Sequence, residues 1–438
     1  MEIDKTTLDD LFILHSNEEY AVVGRINRCR TEGGRQKLLQ HFSTPLTTAE
    51  QILDMQQTLV WIIQRAQLWP VQITNGTTMV LEKFFSTTID EIPSGGTALG
   101  AFLYKLLHGA DHSFVRYSAG HCVDFIKGLR ALTDLFLQPD TPAPLRSVLQ
   151  EASSLLNKPA FVLLDNIKDS GEIAAGKLLH LAHFVRYHYK NGLLRLLDLY
   201  YTLDAWYGMA MAVKEYGLVF PHFVSDQKPL LKASGLYHLL LKEPVAYDID
   251  LHPGKNFLFL TGANMAGKST FIKSVGTAVF LAHIGMGVPA KSMELSVFDG
   301  LLSNINITDN IVKGESYFFN EVQRIKATVQ KINDQRNWLV LIDELFKGTN
   351  VQDAMKCSTA VVEGLLKMKG SIFILSTHLY EIGEALRSYP SIVFNYFETS
   401  VEDGQICFNY QLKEGISNDR LGYLILKNAG VVDLLKQL

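Results

Sequence analysis

Residues 261–270 combine types and spacing that suit phosphate binding. They read Thr-Gly-Ala-Asn-Met-Ala-Gly-Lys-Ser-Thr, with two glycines bracketing four residues and a lysine and a serine following at once. This is the G-x-x-x-x-G-K-[ST] pattern of a phosphate-binding loop, in which the lysine supplies charge for the β and γ phosphates and the serine hydroxyl can hold Mg²⁺. The pattern predicts a nucleoside triphosphate site formed by Gly262, Ala263, Asn264, Met265, Ala266, Gly267, Lys268, Ser269 and Thr270.

The residues around this loop predict the elements that position it. Residues 256–260 form an apolar run of strand length, and residues 271–284 have helical length with few breakers. Between a strand and a helix, the glycines let backbone N–H groups turn toward a phosphate, and the helix N-terminus adds its positive dipole end. A chance match of the pattern is the alternative interpretation, and this context disfavours it.

Two further apolar runs end in groups that could act on a bound nucleotide. Residues 338–342 lead into Asp343 and Glu344, and residues 374–378 end in His378. At a strand end beside the phosphates, Asp343 could hold Mg²⁺ and Glu344 could orient and deprotonate the attacking water. His378 could donate to the γ-phosphate or to that water. The alternatives are a helix-capping pair of acids and a histidine that merely caps a strand.

Bulk composition sets broad limits on the class of protein. A chain of 438 residues is too long for one core, and 47% hydrophobic and 20% charged residues fit an ordinary globular protein. The net charge of -4 argues against a surface that is basic throughout and binds nucleic acid everywhere, but it leaves a local basic groove open. The polar N-terminus and the lack of an uninterrupted apolar span predict a cytoplasmic protein outside the membrane. Four scattered cysteines without C-x-x-C spacing suggest reduced thiols.

The two halves of the chain differ in the spacing of their apolar residues, and the difference predicts an α + α/β fold. Residues 51–68 and 176–214 carry apolar residues at helical spacing. From about residue 235, short apolar runs alternate with helical segments, which predicts a mostly parallel sheet. The expected strands are 257–260, 338–342 and 371–375, and a hairpin is expected from 392–399 and 405–412.

The order of these motifs resembles that of the MutS family of DNA mismatch-repair ATPases. Asn264-Met265 within the phosphate loop is typical of that family, and the run from Glu315 to Glu321 occupies its signature position. Further similar segments are Gly287–Ala290, Leu341–Glu344 with Gly348-Thr349, Ser376–His378 and Arg420–Tyr423. The first half resembles the start of the family's helical core more weakly, at residues 8–11, 27–31 and 44–46.

The resemblance implies a helical core (lever) domain over residues 1–230 and an ABC-type P-loop ATPase domain over residues 231–438. It implies ATP and Mg²⁺ as cofactors, with Lys268, Glu344 and His378 as catalytic residues and Ser269 and Asp343 as metal ligands. It also implies a homodimer that sandwiches two ATPs, with Ser316 facing the partner's γ-phosphate. DNA, mismatched or branched, and repair proteins would be its partners.

Several departures from the family pattern leave open which molecule the ATPase would act on, here called its client. We expect the mismatch-reading domain to be missing, the DNA clamp to be reduced or absent, and the terminal helices to be truncated. The densest basic group, Arg25, Arg28, Arg30 and Arg35, is explained equally well by a solvated helix face. Pro244 and Val245 stand where the family often stacks an aromatic ring on adenine, so base recognition is open.

Other functions remain as alternatives. A MutS-derived ATPase dimer could act on a protein or on DNA without a mismatch. A third hypothesis is the ATPase subunit of an ABC transporter. The helical first half and the absence of a Leu-Ser-Gly-Gly-Gln motif argue against it. A purely structural protein with a vestigial loop conflicts with the four intact motifs.

Overall fold

Three apolar runs of the second half form neighbouring buried strands. They are β5 (Phe257–Thr261), β8 (Trp338–Asp343) and β9 (Ile372–Ser376), and every residue in them is buried. The three strands are parallel, with β9 between β8 and β5. Continuous apolar strands are expected where helices cover both faces of a parallel sheet. The predicted mostly parallel sheet is therefore confirmed.

The computed structural model describes residues 1–15, 17–164, 171, 173–224, 228–306, 317–402, 405–417 and 426–436. Its larger sheet has the order β1-β7-β8-β9-β5-β10-β11, and its smaller sheet has the order β2-β6-β3-β4. The strands not yet given are β1 (Glu2–Ile3), β2 (His222–Phe223), β3 (Leu231–Leu236), β4 (Tyr247–Leu251), β6 (Ser292–Leu295), β7 (Gly300–Asn304), β10 (Ile392–Glu402) and β11 (Gln405–Glu414). The predicted hairpin corresponds to β10 and β11, which pair antiparallel at the sheet edge.

Helices account for most of the remaining described chain. Those of the first half are α1 (Lys5–Asp10), α2 (Val22–Ile26), α3 (Glu32–Ser43), α4 (Ala49–Arg65), α5 (Asn75–Ser86), α6 (Ala98–Leu107), α7 (Gly109–Phe136), α8 (Ala143–Leu156), α9 (Ala175–His183) and α10 (Lys190–Tyr216). Those of the second half are α11 (Lys268–His283), α12 (Tyr317–Ile332), α13 (Val351–Leu365), α14 (Tyr380–Ala385) and a last helix, Val431–Lys436. Among the described residues, none of these helices is both long and apolar enough to cross a membrane.

The helical stretch expected over residues 176–214 is interrupted. A π-helical turn, Phe184–His188, separates α9 from α10, and Tyr189 leaves helical geometry with φ -128°. Contacts to other segments hold this turn, because Arg186 donates to the carbonyl of Thr87 and the Tyr189 hydroxyl donates to the carbonyl of Leu155. Apolar spacing cannot reveal such an interruption, since the spacing continues on both sides of it.

The described chain divides into two compact units. Met1–Arg25, Thr44–Leu53 and Tyr216–Leu438 form the sheet unit, and Ile26–Ser43 and Asp54–Glu215 form the helical unit. The first 25 residues thus group with the sheet rather than with the helices that follow them in sequence. The reason is pairing, since β1 extends the larger sheet parallel to β7.

A buried carboxylate fastens this N-terminal segment within the sheet unit. Asp10 is 2% exposed and accepts hydrogen bonds from the Ser303 hydroxyl at 2.6 Å and from the backbone N–H of Ile305 and of Asn306, both at 3.1 Å. Arg324 of α12 lies 3.2 Å from the same carboxylate. A buried charge with this many partners is satisfied, and it ties α1 to the end of β7 and to α12.

Candidate functional site

The glycine loop leaves β5 at the sheet's carboxyl edge and enters α11. Gly267 has φ +109° and immediately precedes the helix, while Met265 also has a positive φ, +70°. A side chain is strained in this region of backbone space, so glycine at 267 lets the chain turn sharply into the helix. The first N–H groups of α11 have no partner within the helix, so they can bind an anion.

Lys268, the first residue of α11, is 5% exposed and bends back over the loop. Its ammonium donates to the carbonyls of Gly262 at 2.8 Å and Ala263 at 3.0 Å. Burial lowers the pKa of Lys268, and the charges of Glu344 and Asp343 oppose that shift. An ammonium has three donors, so a phosphate oxygen can take the third.

The carboxylates at the end of β8 lie at the same edge of the sheet. Asp343 is paired with Ser376 of β9 in the strand register, and the Ser376 hydroxyl donates to its carboxylate. Leu260, one residue before the end of β5, is level with Ser376 on the other side of β9. The carboxyl ends of β5, β8 and β9 therefore converge, which is where parallel sheets bind ligands.

Glu344 lies just beyond β8 in a strained conformation. Its φ is +64°, and its backbone N–H donates to the carbonyl of Ser376 at 2.9 Å. The carboxylate lies 3.1 Å from the Lys347 ammonium and 3.5 Å from Nδ1 of His378. Burial opposes ionisation, but the hydrogen bond from His378 and the charge of Lys347 outweigh it and lower the pKa of Glu344 to about 2. Glu344 is thus an anion at neutral pH.

Glu321 of α12 holds the segment that follows Glu344. It is 1% exposed, and its two carboxylate oxygens accept from the backbone N–H of Lys347 at 3.0 Å and of Gly348 at 3.1 Å. A Cβ at Gly348 would lie 2.7 Å from the backbone nitrogen of Phe318, so only glycine fits against the start of α12. This role of Glu321 could not be predicted from the sequence, because a single acid within a helix carries no spacing signal for a backbone contact elsewhere in the chain.

A cleft of about 500 Å³ joins Lys268 and Glu344. It is lined by Leu241, Glu243, Val245, Tyr247, Asn264, Met265, Gly267, Lys268, Ser269, Thr270, Glu344 and Tyr410. Val245 lines the cleft, and Tyr410 of the hairpin supplies an aromatic ring. The position of Tyr410 could not be predicted from the sequence, because the fold of the hairpin over the loop brings it into the cleft across about 140 residues of chain. Its unusual backbone, φ +55°, gives no sequence signal.

The donor set at this edge fits a hard divalent cation such as Mg²⁺. Ser269 offers a hydroxyl inside the cleft, and Asp343 offers a carboxylate near enough for its charge to act on Lys268. Hydroxyl, carboxylate and phosphate oxygens are the ligands that Mg²⁺ takes in such sites. The predicted ligand pair Ser269 and Asp343 remains a prediction, as does the role of His378.

Two predicted features have a different outcome. Ser316 lies outside the described residues, as do Arg420–Tyr423. The basic group is engaged within the chain: Arg28 pairs with Glu215 at 2.5 Å, Arg35 with Glu32 at 2.7 Å, and Arg30 donates to the carbonyl of Pro70. Each of these three arginines therefore has a partner within the chain.

Removing the charge of Lys347 is expected to change the pH dependence of any turnover at this site. In Lys347→Met, the pKa of Glu344 should rise toward its ordinary value, because one of the two groups that favour its anion is gone. Glu344 would then be protonated at higher pH, so the acidic limb of the rate profile should move upward, by about one pH unit. Rates measured between about pH 2 and pH 6, the range in which Glu344 takes up its proton, test this. Lys356→Met, an exposed change on α13, is the control, and superimposable profiles would contradict the assignment.

A central strand, a glycine loop, a helix and two carboxylates at the end of a second parallel strand define an α/β domain with a ligand site at its strand ends. Residues 258–436 match the family model for MutS domain V. The chain is 31% identical over 241 residues to the DNA mismatch repair protein MutS of Pseudothermotoga lettingae, covering 55% of this chain and 30% of that protein. It is 28% identical over 256 residues to that of Petrotoga mobilis, covering 58% of this chain and 30% of the relative. For the MutS of Streptococcus suis, the figures are 28% over 241 residues, 54% and 28%.

Residues 258–436 therefore form a domain of the MutS domain V family. The resemblance found in the motifs is thereby confirmed. The chain spans about 30% of the length of these relatives.

Proposed function

We propose that this protein is a MutS-type ATPase that binds ATP with Mg²⁺ in the cleft beside the glycine loop and hydrolyses it. The observation that carries the proposal is the convergence of Lys268, Ser269 and Glu344 on one cleft. Phosphates would lie against the start of α11, where its N–H groups and the Lys268 ammonium offset their charge. Val245 and Tyr410 would enclose the base, with the tyrosine ring available for stacking.

The residues at the strand ends divide the work of hydrolysis. Ser269 and Asp343 would hold Mg²⁺, which when bound neutralises charge that develops on the phosphate oxygens. Glu344 would orient the attacking water by accepting its hydrogen bond and would take up its proton, because its low pKa keeps the carboxylate ionised and able to accept. His378, within reach of Glu344, would donate to the γ-phosphate and so respond to its presence.

The client and the assembly are part of the same proposal. The relatives are named DNA mismatch repair proteins, which supports a DNA partner. We propose that this DNA is mismatched or branched, and that the chain acts as a cytoplasmic homodimer whose second subunit contributes Ser316. A second candidate keeps the ATPase dimer but gives it a protein client or DNA without a mismatch. The intramolecular pairing of Arg28, Arg30 and Arg35 favours it, because these residues are engaged before any phosphate backbone arrives.

One experiment tests the function and separates the two candidates. ATP affinity and turnover are measured with Mg²⁺ alone, then with homoduplex, mismatched and branched DNA at one fixed salt concentration, because phosphate contacts make such affinities salt-dependent. We expect measurable ATP turnover without DNA, and a different turnover rate when DNA is added. Turnover that ignores every DNA form would remove the DNA-directed version, and the absence of ATP binding would remove the ATPase proposal itself.

Glu321 should matter for turnover rather than for binding. In Glu321→Gln, an amide group replaces one acceptor of the Lys347–Gly348 backbone and faces an N–H group that it cannot satisfy. The turn after Glu344 loses its anchor, so kcat should fall about tenfold or more while KM for ATP changes little. Steady-state kinetics measure both constants. Glu363→Gln, an exposed change on α13, is the matched control. A rise in KM at unchanged kcat would instead place Glu321 in nucleotide binding.

A further inference from the structure

Helix α6 of the helical unit exposes most of its large apolar side chains. Leu99, Phe102, Leu103, Leu106 and Leu107, here called the α6 patch, are 46% to 72% exposed. The residues that α6 buries are Ala101 and Tyr104. A surface helix normally buries its large apolar side chains and exposes polar ones, so α6 is inverted.

The spacing of the α6 patch makes it one continuous stripe. Positions 99, 102, 103, 106 and 107 are three or four residues apart along the helix, so their side chains neighbour one another on one face. Exposed apolar residues that are scattered singly are normal on protein surfaces, but a contiguous group of five large ones marks an interaction site.

We propose that the α6 patch is a self-association surface, in which α6 packs against α6 of a second copy across a two-fold axis. If the five residues lost all of their exposed area, two patches together would remove at most about 1,200 Å² from water, the lower end of the range for specific interfaces. A two-fold contact needs a self-complementary surface, and a single apolar stripe on a straight helix is one. Leucines at this spacing form the ridges that interlock between packed helices.

The charges around the α6 patch disfavour a lipid surface as the occupant. Asp90 bonds to His108 at 2.7 Å at the C-terminal end of α6, and Asp111 accepts the backbone N–H of Asp90. Lys105 is the only lysine or arginine on the helix. Helices that lie in a membrane interface carry many basic residues on the polar face, and acidic neighbours repel anionic lipid. A second copy fits an apolar stripe with this rim.

The α6 patch shares no residue with the proposed ATP site, because α6 belongs to the helical unit and the cleft residues belong to the sheet unit. Self-association through α6 should therefore occur without nucleotide, and the result does not depend on whether the chain hydrolyses ATP.

Sedimentation velocity of the full chain without nucleotide tests the proposal. The wild type should form a dimer at micromolar concentration, and Leu103→Lys/Leu106→Lys should raise the dissociation constant at least 100-fold. Leu68→Lys/Val71→Lys is the matched control, since these residues lie outside α6 and are exposed to 46% and 72%. The control should dimerise as the wild type does. A wild type that stays monomeric up to about 100 μM overturns the proposal, as does an unchanged dissociation constant in the α6 variant.

Two further measurements cover misfolding and the other occupant. Leu103→Cys lies near the middle of α6, so a two-fold axis there should yield a disulfide-linked dimer under mild oxidation that Val71→Cys does not form. Absence of that linked dimer counts against the pairing. Flotation with neutral phosphatidylcholine vesicles is the lipid arm. Vesicle binding that Leu103→Lys/Leu106→Lys abolishes, with no dimer in solution, would assign the patch to lipid and overturn the proposal.

Discussion

Replacing Glu344 with glutamine should nearly stop ATP hydrolysis while leaving ATP binding intact. The amide keeps the shape of the side chain but loses the charge that attracts the attacking water and accepts its proton. General-base catalysis contributes about 100-fold to 10,000-fold, so a fall of at least 100-fold in kcat is expected. Single-turnover hydrolysis and equilibrium binding of a fluorescent ATP analogue measure the two effects separately. Because the γ-phosphate would persist, we also expect the variant to accumulate in an ATP-bound dimer.

The control for this variant is Glu384→Gln, which makes the same chemical change on an exposed residue that pairs with Arg387 at 2.5 Å. Its turnover should match that of the wild type. Normal turnover by Glu344→Gln would remove Glu344 as the hydrolytic residue. Loss of ATP binding in the same variant would point to disruption of its contacts with Lys347 and His378 rather than to lost chemistry.

Replacing Lys268 with alanine should weaken ATP binding strongly. The change removes a charge-assisted bond to phosphate and leaves the carbonyls of Gly262 and Ala263 without their donor. Such a bond contributes about 1.5–3 kcal/mol, so affinity should fall about 10-fold to 100-fold. Titration calorimetry with ATP and Mg²⁺ measures this directly.

Lys356→Ala, an exposed change on α13, serves as the control for lost positive charge. The thermal midpoint of both variants should be recorded, because Lys268 is buried and its loss affects packing as well. Undiminished ATP affinity in a folded Lys268→Ala variant would mean that the glycine loop is not the binding site, whatever its sequence pattern.

The strands and the loop were predictable because their signals are local. β5, β8 and β9 are continuous apolar runs, and each ends within a residue or so of the position that its sequence indicates. Burial on both faces requires apolar residues at every position, so the apolar run itself predicts the strand. The glycine loop is likewise encoded in eight adjacent residues. The order in which the strands lie, with β9 between β8 and β5, cannot be read from any one run.

What only the tertiary structure decided are contacts between distant segments. The sequence determined that a glycine loop, a carboxylate pair and a histidine exist, because short motifs carry their own chemistry. It could not place Tyr410 in the cleft, Glu321 under the Lys347–Gly348 turn or Asp10 against Arg324. Nor could it show that the leucines of α6 are exposed. The sequence of an apolar helix is the same whether its apolar face packs against this chain or against another molecule. Such contacts depend on how the elements pack, and packing is a property of the whole fold rather than of any one segment.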